Sequence, residues 1–284
     1  MEKSNKFAVV GLGGRSVFMR VPHFHVDGET LKAEHSYEEP GGKGYNQAIA
    51  LAKLGADVSF ISAVGNDGYG KVCRADLESR NVRYIEIMKE TELSAFAFIL
   101  VDSNGDNQVT VYEGASSLLG REDIEANAVE LEDADVLVLQ LEVPNEANFA
   151  ALEKAKNAIK ILNPAPAARF DEKYFSLCDW ITPNLSEAYS IFGGSALDEL
   201  AERITKKGIN AVVTLGAVGA LLVCDGKTEL IPAPQFRNIV NTTGAGDNFN
   251  AAFALKIASG ETPSECVRYA VKHASYYVAG KIGR

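Results

Sequence analysis

Short apolar runs alternate with amphipathic helical stretches along most of this 284-residue chain. Phe7–Gly11, Val58–Val64, Val136–Leu141, Ile159–Leu162, Trp180–Thr182 and Ala211–Leu215 read as buried strands, each a brief continuous apolar segment. Tyr45–Leu54, Gly70–Ser79, Glu146–Lys156, Glu187–Phe192 and Leu197–Lys207 carry apolar residues at helical spacing among good helix formers. Such alternation predicts an α/β fold: a three-layer α/β/α domain with a mostly parallel central sheet covered on both faces. The length suits one large domain, taken here as residues 1–284.

Two segments break the rhythm, from about 15 to 40 and from about 92 to 113. Both are strand-like with no helix between the strands. The second, SAFAFILVDSNGDNQVTVYEG, reads as a hairpin centred on Ser103, Asn104, Gly105 and Asp106. Together they predict a small β-sheet projecting as a lid. The alternative is a pair of edge strands on the main sheet.

Charge narrows the function. A net charge of −10 argues against a nucleic-acid surface, which needs clustered Lys and Arg. It does not forbid a local positive pocket. Cys73, Cys178, Cys224 and Cys266 are far apart and form no Cys-x-x-Cys pair, so reduced thiols are expected. The N-terminal apolar run is too short, and too soon broken by glycine, for a signal peptide or a membrane span. A cytoplasmic protein with no membrane partner is expected.

Candidate chemistry concentrates in NTTGAGDNFN, residues 241–250. The Gly244-Ala245-Gly246 turn leads into an apolar helical stretch. A helix start leaves N–H groups unpaired and adds the positive end of its dipole, which makes an anion site sized for a phosphate. Asp247 sits at its lip. A carboxylate there suits a base that takes a proton from a hydroxyl attacking a phosphoryl group. The plainer reading is an ordinary helix start with Asp247 as its cap.

GGKGYNQA, residues 41–48, is a second glycine-rich helix start. Gly42 allows close backbone approach, Lys43 brings a charge and Asn46 a donor–acceptor amide, a mixture suited to a polyol. Asn163 in NPAPA, and Asn184 and Glu187 in TPNLSE, each follow a predicted strand. Ligands of open α/β sheets bind beyond the carboxyl ends of strands. Glu187 could hold a hydrated Mg2+, or could simply close a capping box with Asn184. Glu142 ends the strand VLVLQLE. TLGAVG, residues 214–219, joins two strands through glycines and suits a backbone wall against a nucleotide. GLGGRS, residues 11–16, nearly matches a dinucleotide fingerprint, but strand rather than helix follows it.

GGKGYNQA, LQLE, NPAPA, ITPNLSE, TLGAVG and TTGAGDNFNAAF, in that order, resemble the ribokinase-like family of carbohydrate and nucleoside kinases. The resemblance covers nearly the whole chain. It implies an α/β domain with a β-sheet lid shared in a homodimer. It also implies ATP and Mg2+, with a small sugar-like molecule as the other substrate. Carried over, Gly42, Lys43, Asn46 and Glu142 match substrate-contacting positions. Asn184, Thr214, Gly216 and Gly219 match nucleotide positions, and Glu187 matches the Mg2+ position. Gly244, Ala245 and Gly246 match the anion hole, and Asp247 the catalytic base.

Three departures stand out. The family's first strand usually ends in Gly-Ser-x-Asn-x-Asp, whereas Gly14 and Ser16 stand here with Arg15 between them. Arg15 could pair with an anionic substrate group or point to solvent. Asn241 replaces a usual Asp beside a monovalent-cation site, which leaves K+ dependence open. The sequence ends at Arg284, where the family usually continues; His273 and Lys281 lie in this final region and either could border an adenine. Phosphorylation of a sugar-like hydroxyl, which the resemblance implies is a primary one, leads the readings. A nucleoside kinase, with Phe18, Phe96 and Phe98 near the base, and a non-catalytic ligand binder are the alternatives.

Overall fold

The computed structural model describes residues 5–240 and 242–282. Its strands are β1 (Lys6–Val10), β2 (Gly14–Arg20), β3 (His35–Gly41), β4 (Asp57–Gly65), β5 (Val82–Lys89), β6 (Ala95–Val101), β7 (Asn107–Tyr112), β8 (Val136–Gln140), β9 (Ile159–Asn163), β10 (Trp180–Ile181), β11 (Asn210–Thr214), β12 (Gly219–Cys224) and β13 (Lys227–Pro232). Its α-helices are α1 (Lys43–Lys53), α2 (Tyr69–Ser79), α3 (Arg121–Ala126), α4 (Ala128–Glu132), α5 (Asn145–Lys154), α6 (Tyr174–Leu177), α7 (Leu185–Phe192), α8 (Leu197–Lys207), α9 (Ala245–Ala258) and α10 (Pro263–Val278).

Nine of the strands form one sheet in the order β13-β12-β11-β10-β9-β8-β1-β4-β5. From β11 to β5 every neighbouring pair is parallel; β12 and β13 add an antiparallel edge. Alternate residues feed cores on opposite faces. Phe7, Val9, Val136 and Val138 pack under α1, α2, α9 and α10. Ala8, Val10, Leu137 and Leu139 pack against α5 and its neighbours. A third cluster, beneath α7 and α8, takes Ala211, Val213, Leu221 and Val223. Burial on both faces explains why these strands read as unbroken apolar runs. Each fully buried Leu, Val or Phe contributes about 1.5–3 kcal/mol.

The two irregular segments pair with each other in a separate sheet, β3-β2-β6-β7, rather than lying on an edge of the main one. β2 runs antiparallel to β3 and parallel to β6; β6 and β7 form the expected hairpin, with Gly105 at positive φ in its turn. Phe18 stacks on Tyr37 with ring centroids 4.7 Å apart. Tyr37, Val109 and Val111 on that face remain about half exposed.

Several elements were not foreseen from the sequence. β5 and β13 are edge strands whose polar and apolar residues mix, so no continuous apolar run marks them. α10 begins with Pro263 behind a Thr262–Glu265 capping box, a start signal the sequence does carry. α1 starts at Lys43, two residues before its predicted start. No described helix is long and apolar enough to cross a membrane. All four cysteines are free thiols, with Cys73 and Cys266 buried.

Candidate active site

The carboxyl ends of β1, β8, β9, β10 and β11 share one edge of the main sheet, and the N-termini of α1 and α9 converge above it. α1 begins after Gly42, whose φ of 100° an L side chain rarely adopts. A Cβ on Gly42 would also meet Leu12 at 2.4 Å. α1 reaches the sheet edge because Gly44 presses on Gly11: a Cβ on Gly44 would lie 2.8 Å from the Gly11 Cα. α9 begins after Gly244, also at positive φ.

Asp247 stands in the first turn of α9, yet it does not cap the helix. Its carboxylate is buried and turned toward α1. Asn46 Nδ2 donates to Oδ2 at 3.0 Å and Gln47 Nε2 donates to Oδ1 at 3.0 Å. The Lys43 backbone N–H donates to Glu142 Oε2 at 2.6 Å. These contacts bring Lys43, Asn46, Glu142 and Asp247 into one cluster, with Gly42 beside them.

The electrostatics follow from burial among like charges. Burial pushes the Asp247 carboxyl above its usual range; Lys43, Gln47 and Asn46 oppose the shift. Burial raises Glu142 to about 7, with Lys43 pulling the other way. Glu187 is raised by burial, less the hydrogen bond from the Asn184 backbone and the pull of Lys43. Burial alone would lower Lys43, but the fields of Asp247, Glu142 and Glu187 outweigh it and keep its ammonium charged. Three acids act on one half-buried cation.

Beside this cluster lies a cavity of about 440 Å³. Thr214, Gly216, Gly219, Phe236, Ala245 and Gly246 are among its walls. A Cβ on Gly246 would meet nothing within 4 Å, so the backbone there is open to an approaching group. The Ala245 N–H is already used, on the Thr242 carbonyl at 3.1 Å. Asn184 and Glu187 stand at the start of α7, next to Thr214 through a Asn184–Thr214 bridge.

Residues 6–281 match the pfkB family carbohydrate kinase pattern. The chain belongs to that family of carbohydrate kinases. It is 35% identical over 271 residues to the ribokinase of Haemophilus influenzae, covering 92% of this chain and 88% of that one. The crystal structure of Thermotoga maritima ribokinase matches it with a TM-score of 0.87 at 34% identity, over 98% of this chain and 93% of the other. A structure of Arabidopsis thaliana ribokinase complexed with ribose and ATP matches with a TM-score of 0.87 at 25% identity, over 99% and 94% of the two chains.

Not every candidate residue joins the kinase's central cluster. Arg15 and Ser16 point to opposite faces of the small sheet. A Cβ on Gly41 would lie 2.4 Å from Ser16 Oγ, so Ser16 faces the glycine turn before α1. Arg15 instead lies over Phe96, 5.8 Å from the ring centroid, and pairs with Glu38 at 3.7 Å. It lines a separate depression with Asp67 and Tyr69. Of the two readings of Arg15, an anionic substrate partner or a side chain turned to solvent, this placement agrees with the second: strand alternation directs it to the face opposite Ser16. Phe96 and Phe98 share Arg15's face; Phe18 lies on the other. His273 stacks on Tyr269, half-buried, without lining the cavity. Lys281 lies 4.2 Å from the ring centroid of Phe236, a cavity wall. Asn241 lies outside the described residues.

Sequence reasoning missed Gln47 and Gln140. Both are fully buried within this polar network. The signal was present: Gln140 is the lone polar residue in the otherwise apolar strand VLVLQ.

Proposed function

We propose that the kinase transfers the γ-phosphoryl group of ATP to a primary hydroxyl of a sugar or sugar-like substrate, with Asp247 as general base. The observation that carries this reading is the placement of the Asp247 carboxylate. It is fixed by Asn46 and Gln47 between a polar floor and the apolar cavity, at the N-terminus of α9. The substrate hydroxyl gives its proton to Asp247, its oxygen bonds to phosphorus, and the bond from phosphorus to the ADP oxygen breaks.

The cavity suits an adenine and ribose: its volume is adequate, its walls are mostly apolar, and it ends at the bare Gly246 backbone. Thr214, Gly216 and Gly219 would wall the nucleotide, with Asn184 near its phosphates. The Gly244–Gly246 turn and the α9 dipole would hold the transferring group as an anion hole. Because Ala245 already donates to Thr242, the free donors would be those following it. Glu187 would bind Mg2+ through water. One carboxylate rather than a cage suits a hydrated ion held largely by phosphates, and among the described residues no group of three or more His, Cys, Asp or Glu could hold a metal. Lys43, Asn46, Glu142 and Gly42 would hold the sugar.

The small sheet would close over the substrate as a lid, and its exposed face of Tyr37, Val109 and Val111 would pair with a second copy in a homodimer. An ATP-using sugar kinase of this kind would work in the cytoplasm. Substrate-dependent ADP release, measured across pentoses, hexoses, deoxy sugars, sugar acids and nucleosides with and without K+, tests the reading. Turnover on a sugar that Asp247→Asn abolishes would support it. Turnover confined to nucleosides, or unaffected by that substitution, would overturn it.

A further inference from the structure

The buried amides behind Asp247 form a line with a fixed direction. It starts at a backbone carbonyl, which cannot turn over. Asn163 Nδ2 donates to the Thr182 carbonyl at 2.9 Å, so Asn163 Oδ1 must face the other way. It accepts from Gln47 Nε2 at 3.2 Å. The second N–H of the same Gln47 nitrogen goes to Asp247 Oδ1 at 3.0 Å. Gln47 Oε1 then accepts from Gln140 Nε2 at 2.7 Å. Gln140 and Asn163 are register partners at the ends of β8 and β9, so the two strands grip Gln47 from both sides.

Gln140 Oε1 has no hydrogen-bond partner although it is buried. It is wedged against Gly11, where a Cβ would lie 2.2 Å away. Turning the Gln140 amide over would place its oxygen against Gln47 Oε1. Turning both amides over would aim Gln47 Oε1 at the Asp247 carboxylate. The orphaned oxygen is what remains when this line keeps a single direction.

We infer that Gln140 is a positioning residue for phosphoryl transfer: by holding Gln47 Oε1 it keeps the Gln47 amide donating to Asp247, and so keeps the base ionised and aimed. The inference rests on the reading of Asp247 as general base. Gln140 acts through Gln47 and touches no reacting atom. Lys43 from α1 also acts on Asp247 electrostatically, and Glu142 beyond the end of β8 and Glu187 from α7 feel the charge of Asp247. Asn46 bonds the other oxygen and so does not replace the donor at Oδ1.

The test uses Gln140→Met, Gln47→Met and the double variant; methionine keeps the length and removes both polar ends. Gln140→Met is expected to lower kcat about 10-fold and Gln47→Met about 100-fold, with the KM values for sugar and nucleotide nearly unchanged. The double variant is expected to match Gln47→Met within about twofold, because one residue acts through the other. In both single variants the acidic limb of kcat should move to higher pH. Multiplying losses in the double variant, or an unmoved limb, would overturn the inference. So would a wild-type kcat in Gln140→Met. If Gln140→Met does not fold, the wild-type enzyme decides: both Gln47 Nε2 protons should be strongly protected from exchange by NMR, and rapid exchange of both would sink the idea. Asp247→Asn separates the two readings. If it stays active, the general-base reading falls; if it is inactive while the Met variants are normal, only this inference falls.

Discussion

Asn184 and Glu187 satisfy each other across the first turn of α7. Glu187 N–H donates to Asn184 Oδ1 at 2.9 Å, and Glu187 Oε2 accepts from the Asn184 N–H at 2.9 Å. The capping box and the proposed Mg2+ role are therefore not alternatives. One carboxylate oxygen closes the cap and the other is left for a hydrated ion. Glu187→Gln keeps an acceptor for the cap but loses the charge. It should raise the KM for Mg-nucleotide about tenfold while leaving the melting temperature unchanged. Glu187→Ala should lose both, with about 1 kcal/mol of stability. Equal effects of the two variants on Mg2+ dependence and on melting would contradict this division.

Asp247→Asn should lower kcat by about a thousandfold and leave nucleotide affinity, read by calorimetry, nearly intact. Loss of both together would make Asp247 a structural residue.

Burial raises Glu142 to about 7, above the 4.5 of a free glutamate. Between those values the folded protein keeps a proton that the unfolded chain releases. The resulting stability is fully present below about pH 4.5 and is lost as the pH rises through about 7. Glu142→Gln removes this titration. The variant should gain melting temperature over wild type at about pH 8 and gain less at about pH 5. Asp247, also raised by burial, adds the same sign of pH dependence. A constant difference between wild type and variant across this range would place the Glu142 carboxyl in water.

Arg15→Ala should change the KM for any turned-over sugar less than about twofold, because alternation along β2 turns Arg15 away from the glycine side. A rise confined to anionic sugars would mean that the small sheet reorients when substrate binds.

How far the sequence was legible depended on which residues share a local pattern. The parallel core was readable because strands such as β8 are buried on both faces. The Asp247 cluster was readable because glycines mark both helix starts. Edge strands β5 and β13 escaped because one-sided burial leaves a mixed pattern. The two readings of Arg15 stayed open in the sequence because adjacent strand residues face opposite ways, and only the contact of Ser16 with the Gly41 side shows which is which. Gln140 is marked as the lone polar residue of β8, but the partners of Gln140 and Gln47 lie far away along the chain, so the line they form was not legible.

β2 and β6 lie side by side in register, yet α1, β4, α2 and β5 all come between them in the chain. The small sheet cannot close until that intervening unit has packed, so its central pairing carries a large loop-closure cost. It should form late in refolding and open first under mild denaturant, which would expose its amides to exchange while the parallel core stays closed. A fold that delays its small sheet in this way lets the floor of the proposed site assemble first.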